Sequence, residues 1–316
     1  LMINPSKNFG RVFYYENINC FVFKEYFLKT IFVQNPLISL LFMKLVLLAL
    51  FSFLLFISCN NQFSKVLKSS DAEYKLKKAD EYYAKKKYNN AGQLYLELFS
   101  VFKGTDKFED LYYKYAYCSF YQKNYADAEN LFKGFLEVFP NSSKAEEIAY
   151  VHAYTYYLQS PKAELEQINT SKAIGMMQSF IITYPNSPRV KDATELIATG
   201  RVKLELKDYK TAQLYYNLQQ YRAAGISFTN LLNIYPESDK GEEYMLMAIK
   251  SYYQFAKLSY ADKQQERYEK VSTEYFDFAD RYPESKLLKE AEYYRNLSQN
   301  NIKQIQNEQI KTSTER

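Results

Sequence analysis

A four-residue phrase of aromatic, proline, polar residue and serine returns four times down the chain. It reads Phe139-Pro140-Asn141-Ser142, Tyr184-Pro185-Asn186-Ser187, Tyr235-Pro236-Glu237-Ser238 and Tyr282-Pro283-Glu284-Ser285. Twelve residues before each proline stands a small residue, Ala128, Ala173, Ala224 or Val271. Eight before it stands a large one, Phe132, Met177, Phe228 or Tyr275. A fixed phase between a helix-stopping ring and a small/large pair is the mark of stacked helical hairpins, each burying one face against its neighbours. Repeats of this kind present extended surfaces that hold other proteins, which moves the expectation away from an enzyme.

Pro and Gly number only eight each, too few for a fold of many tight turns or for a glycine-rich phosphate cradle. The expected class is therefore all-α. Proline-to-proline distances of 45, 51 and 47 residues imply long helices or insertions. Two inserted loops are expected, at 160–169 around Pro161 and at 261–266. Lys103-Gly104 supplies a glycine stop where the first repeat has no proline.

The front of the chain differs. Residues 37–58 are almost wholly apolar, and Met43-Lys44 precedes an apolar core that ends in Ser58 and Cys59. A short basic start, an apolar core and a small residue at the cut read as a secretory signal. The alternative, a transmembrane anchor over 37–58, would hold Lys44 in the hydrocarbon. Residues 1–42 carry no assignable pattern, and the start of translation is expected at Met43. Leu55-Phe56-Ile57-Ser58-Cys59 resembles the lipobox of bacterial lipoproteins, which implies acylation of Cys59 as the first mature residue; Phe56 departs from the usual aliphatic residue. With Cys20 ahead of the start and Cys59 acylated, Cys118 would be left alone as a small core residue.

Within the hairpins, Tyr88-x-x-Ala91-x-x-x-Tyr95 is followed by Tyr125-x-x-Ala128-x-x-x-Phe132, Tyr221-x-x-Ala224-x-x-x-Phe228 and Tyr268-x-x-Val271-x-x-x-Tyr275. Thr170 takes the tyrosine place before Ala173 and Met177. This resembles the second helix of a tetratricopeptide repeat and implies a superhelix of about five hairpins. The first helices align as well, Ala116 over Ala153 and Tyr113, Tyr117 and Phe120 over Tyr150, Tyr154 and Tyr157, at the spacing of one helical face. The expected organisation is a leader at 1–42, a signal at 43–58, a lipidated linker at 59–70, a solenoid at 71–298 and a polar tail, or frayed helix, at 299–316.

A lipobox followed by five long hairpins, with Tyr-Pro-Asn/Glu-Ser closing successive repeats and Ala212-Gln213-Leu214-Tyr215-Tyr216 before Tyr221-Arg222-Ala223-Ala224, resembles the BamD family, lipoproteins of the outer-membrane β-barrel assembly machinery. The resemblance spans roughly residues 59–298. It implies a non-enzymatic subunit that binds the periplasmic part of a BamA-type barrel protein and unfolded outer-membrane clients. Asn60-Asn61-Gln62 lacks the Asp that, by resemblance to enteric lipoproteins, retains a lipoprotein at the inner membrane, so the outer membrane facing the periplasm is the expected location. In tetratricopeptide geometry the first helices line the groove, making Tyr83, Tyr113, Tyr117, Phe120, Tyr150, Tyr154 and Tyr157 the candidate client surface. The competing reading of any one of these rings is packing inside the solenoid. By the same resemblance the C-terminal hairpins, about 205–298, would dock BamA and the accessory subunits. Arg222, Arg267, Arg281 and Arg295 are candidate anchors there or merely solvated.

Catalytic signals are sparse. His152 is the sole histidine and has no nucleophile signature around it. Glu146-Glu147 and Glu242-Glu243 are adjacent pairs that point apart on a helix and are expected to be solvated near helix starts. No metal-spaced cluster, phosphate loop or cofactor motif is read. Residues 1–58 hold five Lys or Arg and two Glu, which leaves 36 basic against 34 acidic residues and no electrostatic case for nucleic acid. Lys85-Lys86-Lys87 reads as a solvated turn or as a contact for anionic head groups. Two other readings stand beside the family resemblance: a different periplasmic tetratricopeptide adaptor, and a SusD-like glycan-binding lipoprotein, whose Trp platforms this chain, with no Trp, lacks.

Overall fold

A computed structural model describes residues 43–45, 47–48 and 62–314. Cys59 and most of the apolar 37–58 stretch lie outside the described residues. Within them, the chain is all-α, in repeated helical hairpins of tetratricopeptide-like fold, and no helix is long and apolar enough to cross a membrane.

The chain divides into two compact units, the first reaching Val101 and the second beginning at Phe102. In the first, a short helix at 62–67 precedes α1 (Ala72–Ala84) and α2 (Tyr88–Phe102), at whose end the division falls. Asp71 caps α1 by accepting the Tyr74 N–H at 3.0 Å. Ala79, Ala91, Leu94 and Tyr95 are buried, and the Tyr95 hydroxyl donates to Asp80 at 2.6 Å. Lys85, Lys86 and Lys87 are exposed in the turn between the helices.

The second unit contains α3 (Phe108–Tyr121), α4 (Tyr125–Val138), α5 (Ala145–Leu158), α6 (Ile168–Thr183), α7 (Val190–Asn217), α8 (Tyr221–Ile234), α9 (Gly241–Lys257), α10 (Ala261–Arg281) and α11 (Leu288–Thr314). Each helix packs on the next, and α11 also packs on α9. The small positions read from the prolines, Ala128, Ala173, Ala224 and Val271, are all buried and let paired helices approach; Phe132, Met177 and Phe228 fill the space beside them. Tyr275 in the last hairpin is only partly buried.

The repeated phrase builds one turn four times. Its aromatic residue caps the helix at φ near −125° to −134° and donates its N–H to the carbonyl four residues back. Proline then ends the helix, having no N–H to continue it. Serine works on three sides. Its N–H bonds the aromatic carbonyl, and its Oγ accepts an N–H two residues on. In three of the four turns the same Oγ donates to a glutamate of the preceding first helix: Ser142 to Glu109 at 2.7 Å, Ser238 to Glu205, and Ser285 to Glu242 at 2.6 Å.

The insertions are of two kinds. Residues 159–167 form a loop fastened to α7 by Lys203 on Ser160 Oγ at 2.7 Å, Lys207 on the Leu165 carbonyl at 3.1 Å, and Lys210 on Glu164. The expected loop at 261–266 is instead helical. Tyr260 is extended at the N-cap of α10, Asp262 suits the first turn, and nothing from 261 to 266 breaks a helix. The remaining length lies in α7, 28 residues against 14 in α3 and α5. Its first part meets α6, where Gly200 faces Ile174; its last part meets α8, where Tyr209 packs on Phe228 with ring centroids 6.1 Å apart. In α11, Ile302 and Ile305 pack partly buried against the last core cluster, and the helix runs past 298 without a break.

Candidate functional site: an aromatic ladder

Helix α3 carries Tyr113, Tyr117 and Phe120 at positions i, i+4 and i+7, and α5 carries Tyr150, Tyr154 and Tyr157 at the same spacing, so each set lines one helical stripe. The six rings form one continuous series. Tyr113 lies 4.7 Å from Tyr117, Tyr117 lies 6.0 Å from Phe120, and Phe120 crosses to α5 at 6.5 Å from Tyr154. Tyr154 then stacks on Tyr150 (6.2 Å, 15°) and on Tyr157 (5.8 Å, 13°). Phe132, Phe135 and Phe180 of the second helices back the ladder edge-on.

The two stripes are not uniformly open. Tyr117 is 5% exposed and Tyr150 8%, so both belong to the packed wall and not to its free face. The reason is local: Glu147 of α5 draws in the Tyr117 hydroxyl at 2.5 Å, and Phe180 packs against Tyr150. Tyr113, Phe120, Tyr154 and Tyr157 are half-buried and form the accessible part. Tyr83 belongs to the first unit, half-buried and edge-on to Tyr88 and Tyr95.

Glu147 is the residue that sequence reasoning missed. It accepts the Tyr113 hydroxyl at 3.1 Å as well as that of Tyr117. Burial, followed by the Glu147 charge, pushes the Tyr113 hydroxyl up to about 12; burial and the bond to Glu147 raise Tyr117 further. Cations cover the rings from the next turn, Lys144 at 4.6 Å from the Tyr113 centroid and Arg189 at 4.8 Å from that of Tyr150. A signal for Glu147 does exist: it follows Tyr113 by 34 residues, and Glu243, which accepts the Tyr209 hydroxyl at 2.6 Å, follows Tyr209 by the same 34. Glu242 holds Ser285. Of the two acidic pairs expected to be solvated, Glu147, Glu242 and Glu243 are thus each a hydrogen-bond acceptor joining repeats.

The other singled-out residues fall into structural places. His152 is buried, its Nε2 3.3 Å from Glu129 Oε1, and burial pulls its pKa down. Cys118 is free and fully buried, which pushes its thiol up to about 12. Arg281 lies over the Tyr282 ring, and Arg295 over Tyr275 and Phe276 at 5.1 and 5.0 Å. No group of three or more His, Cys, Asp or Glu side chains able to hold a metal occurs among the described residues.

Stacked hairpins closed by a repeated Pro-Ser turn, with an aromatic stripe on two adjacent first helices, define a helical-repeat protein of the tetratricopeptide type. The family model for the outer membrane lipoprotein YfiO matches residues 69–267. The chain belongs to that family, which is the BamD family. No curated protein matches the chain.

Proposed function

We propose that this protein is a non-enzymatic, lipid-anchored scaffold of the β-barrel assembly complex at the periplasmic face of the outer membrane. Acylated Cys59 tethers it. Its C-terminal hairpins bind the periplasmic part of a BamA-type barrel protein and the other subunits, and the ladder of α3 and α5 receives segments of unfolded outer-membrane proteins. Family membership supports the membrane lipoprotein part of this reading. The observation that carries the client part is the unbroken series of six rings with four of them half-open. A half-open aromatic surface backed by a rigid wall packs bulky side chains of an extended segment at little entropic cost, because its own rings are already held.

The test is binding of a C-terminal peptide from an outer-membrane barrel protein to the full chain and to a Tyr154→Ala/Tyr157→Ala variant. Loss of two ring contacts weakens binding about tenfold or more. Unchanged affinity in a variant with native circular dichroism refutes the client surface; if the double variant unfolds, Tyr157→Ala alone serves. Pull-down of the lipidated protein from detergent-solubilised outer membrane examines the partner part separately, and failure to recover a BamA-type barrel overturns it.

A further inference from the structure

Away from the ladder, the first turns of α8, the end of α9 and the front half of α10 enclose a cleft of about 530 Å³. Its apolar lining comes from Ile226, Tyr252 and Phe255, and its rim carries Arg222, Arg267, Lys270, Glu266, Glu269 and Thr273. We infer that this cleft docks a polypeptide segment that presents a single carboxylate beside a bulky apolar side chain.

The state of the cations favours this occupant. The Arg267 guanidinium carbon lies over the Phe255 ring, 4.1 Å from its centroid, and the Nη1 group donates to Ser259 Oγ. This ring contact and one hydrogen bond hold its planar fork and leave most of its five donors without a partner among the described residues, the arrangement that receives a carboxylate in bidentate fashion. Among the described residues no carboxylate pairs with Arg267. Glu266, next to Arg267 along the helix, lines the same cleft but makes no ion pair with it. Glu269 accepts from Gln265 at 2.9 Å. Arg222 is exposed at the opposite wall with no ion pair, whereas Lys270 is occupied by Glu274 at 2.6 Å. Two guanidinium groups with no ion pair among the described residues therefore border an apolar floor. Glu266 and Glu269 at the rim repel any anion, a doubly charged phosphate more than a singly charged carboxylate, so the cleft favours the carboxylate of the two. Ile226, itself 45% exposed, and Phe255 then offer the apolar side chain a pocket. The Ser259 turn that Arg267 grips carries Leu258 and Tyr260, exposed at 66% and 86%, and extends the apolar surface beyond the cleft mouth.

The experiment titrates the full chain in detergent with a capped peptide bearing one Asp-Phe pair and with the matching Asn-Phe peptide. The Asp-Phe peptide binds, and the Asn-Phe peptide binds about tenfold more weakly or not at all, the scale of a charge-assisted fork. Arg267→Gln abolishes the discrimination, Arg267→Lys restores it in part, and Arg222→Gln weakens binding without disturbing the fold. Equal binding of the two peptides overturns the inference, as does undetectable binding at millimolar Asp-Phe peptide. Capture of phosphatidylglycerol vesicles through the same two arginines, with no peptide binding, identifies a membrane contact and also overturns it. Should Arg267→Gln unfold the hairpin, the exposed Arg222→Gln carries the comparison.

Discussion

Replacing Glu147 tests whether hydroxyl-carboxylate bonds, and not apolar contacts alone, hold successive repeats together. In Glu147→Ala the Tyr117 hydroxyl loses its acceptor while its ring stays 5% exposed, and an unpaired buried hydroxyl costs about 2 kcal/mol. The Tyr113 hydroxyl, half-buried and 3.1 Å from the same oxygen, partly recovers water and costs about 1 kcal/mol. Together the loss is about 3 kcal/mol, or about 6–12 °C in Tm for a unit of this size. Tyr117→Phe removes the donor while Glu147 keeps Tyr113, so it costs about 1 kcal/mol. With both changes no orphaned hydroxyl remains at position 117, and the double variant is less destabilised than the sum of the singles by about 1.5 kcal/mol. Urea denaturation of the four proteins, followed by circular dichroism, measures the cycle. An additive cycle, or Glu147→Ala within 0.5 kcal/mol of the parent, a margin of about the error of such cycles, refutes the view that Glu147 ties α5 to α3.

Three further expectations follow from local geometry. Lys123 and Gln219 sit at φ 62° and 59° in turns where the next residue's N–H reaches five residues back; glycine relieves that strain, and Lys123→Gly raises stability by about 0.5–1 kcal/mol in thermal melts. A Cβ on Gly225 would stand 2.8–3.0 Å from three atoms of the Tyr252 ring, so Gly225→Ala costs about 1–3 kcal/mol, whereas Gly175→Ala in α6, with nothing within 4 Å, stabilises by up to about 1 kcal/mol; equal responses of the two variants contradict the packing. The buried Tyr117, Tyr235 and Tyr244 hydroxyls donate to Glu147, Asp208 and Glu205, and burial is the first cause that raises all three. Their raised folded-state values mean that stability is intact below the ordinary tyrosine value of 10.0 and falls above it, by about 3 kcal/mol for the three groups together between pH 10 and 11, so denaturant midpoints drop steeply over that interval.

The prolines made the second helices legible because a ring that ends a helix fixes the phase of everything before it, and Ala128, Ala173 and Ala224 fall at the close contacts that this phase demands. The loop placed at 261–266 failed for a matching reason: a polar run with no breaker reads as linker by composition and as the solvated start of a long helix by propensity. The ladder was legible as a stripe, since i, i+4, i+7 spacing is a property of one helix. Which rings of that stripe stay open was not. Exposure of Tyr117 and Tyr150 depends on Glu147 and Phe180, contributed from the next hairpin or the paired helix about 30 residues away. Acids near a helix start suit the dipole whether or not a hydroxyl reaches them, so nothing local distinguished Glu147 and Glu243 from solvated residues.

That long-range pairing also bears on what a surface built of tyrosine presents. Tyr95 donates to Asp80, Tyr113 and Tyr117 to Glu147, Tyr156 to Glu129, Tyr209 to Glu243, Tyr235 to Asp208 and Tyr244 to Glu205. A ring that packs against its neighbours while its hydroxyl reaches a carboxylate on another helix does two jobs with one side chain, which suits a chain with 33 Tyr, no Trp and a mean hydropathy of −0.44. The consequence for the ladder is a division of labour. At its α3 end the hydroxyls are committed to Glu147, so that end presents ring faces and edges only. At its α5 end Tyr154 and Tyr157 stack nearly parallel and their hydroxyls take no partner among the described residues, so of the two ends that one presents both an apolar face and a polar tip. Sequence spacing makes the two stripes look equivalent; the position of one glutamate makes them different.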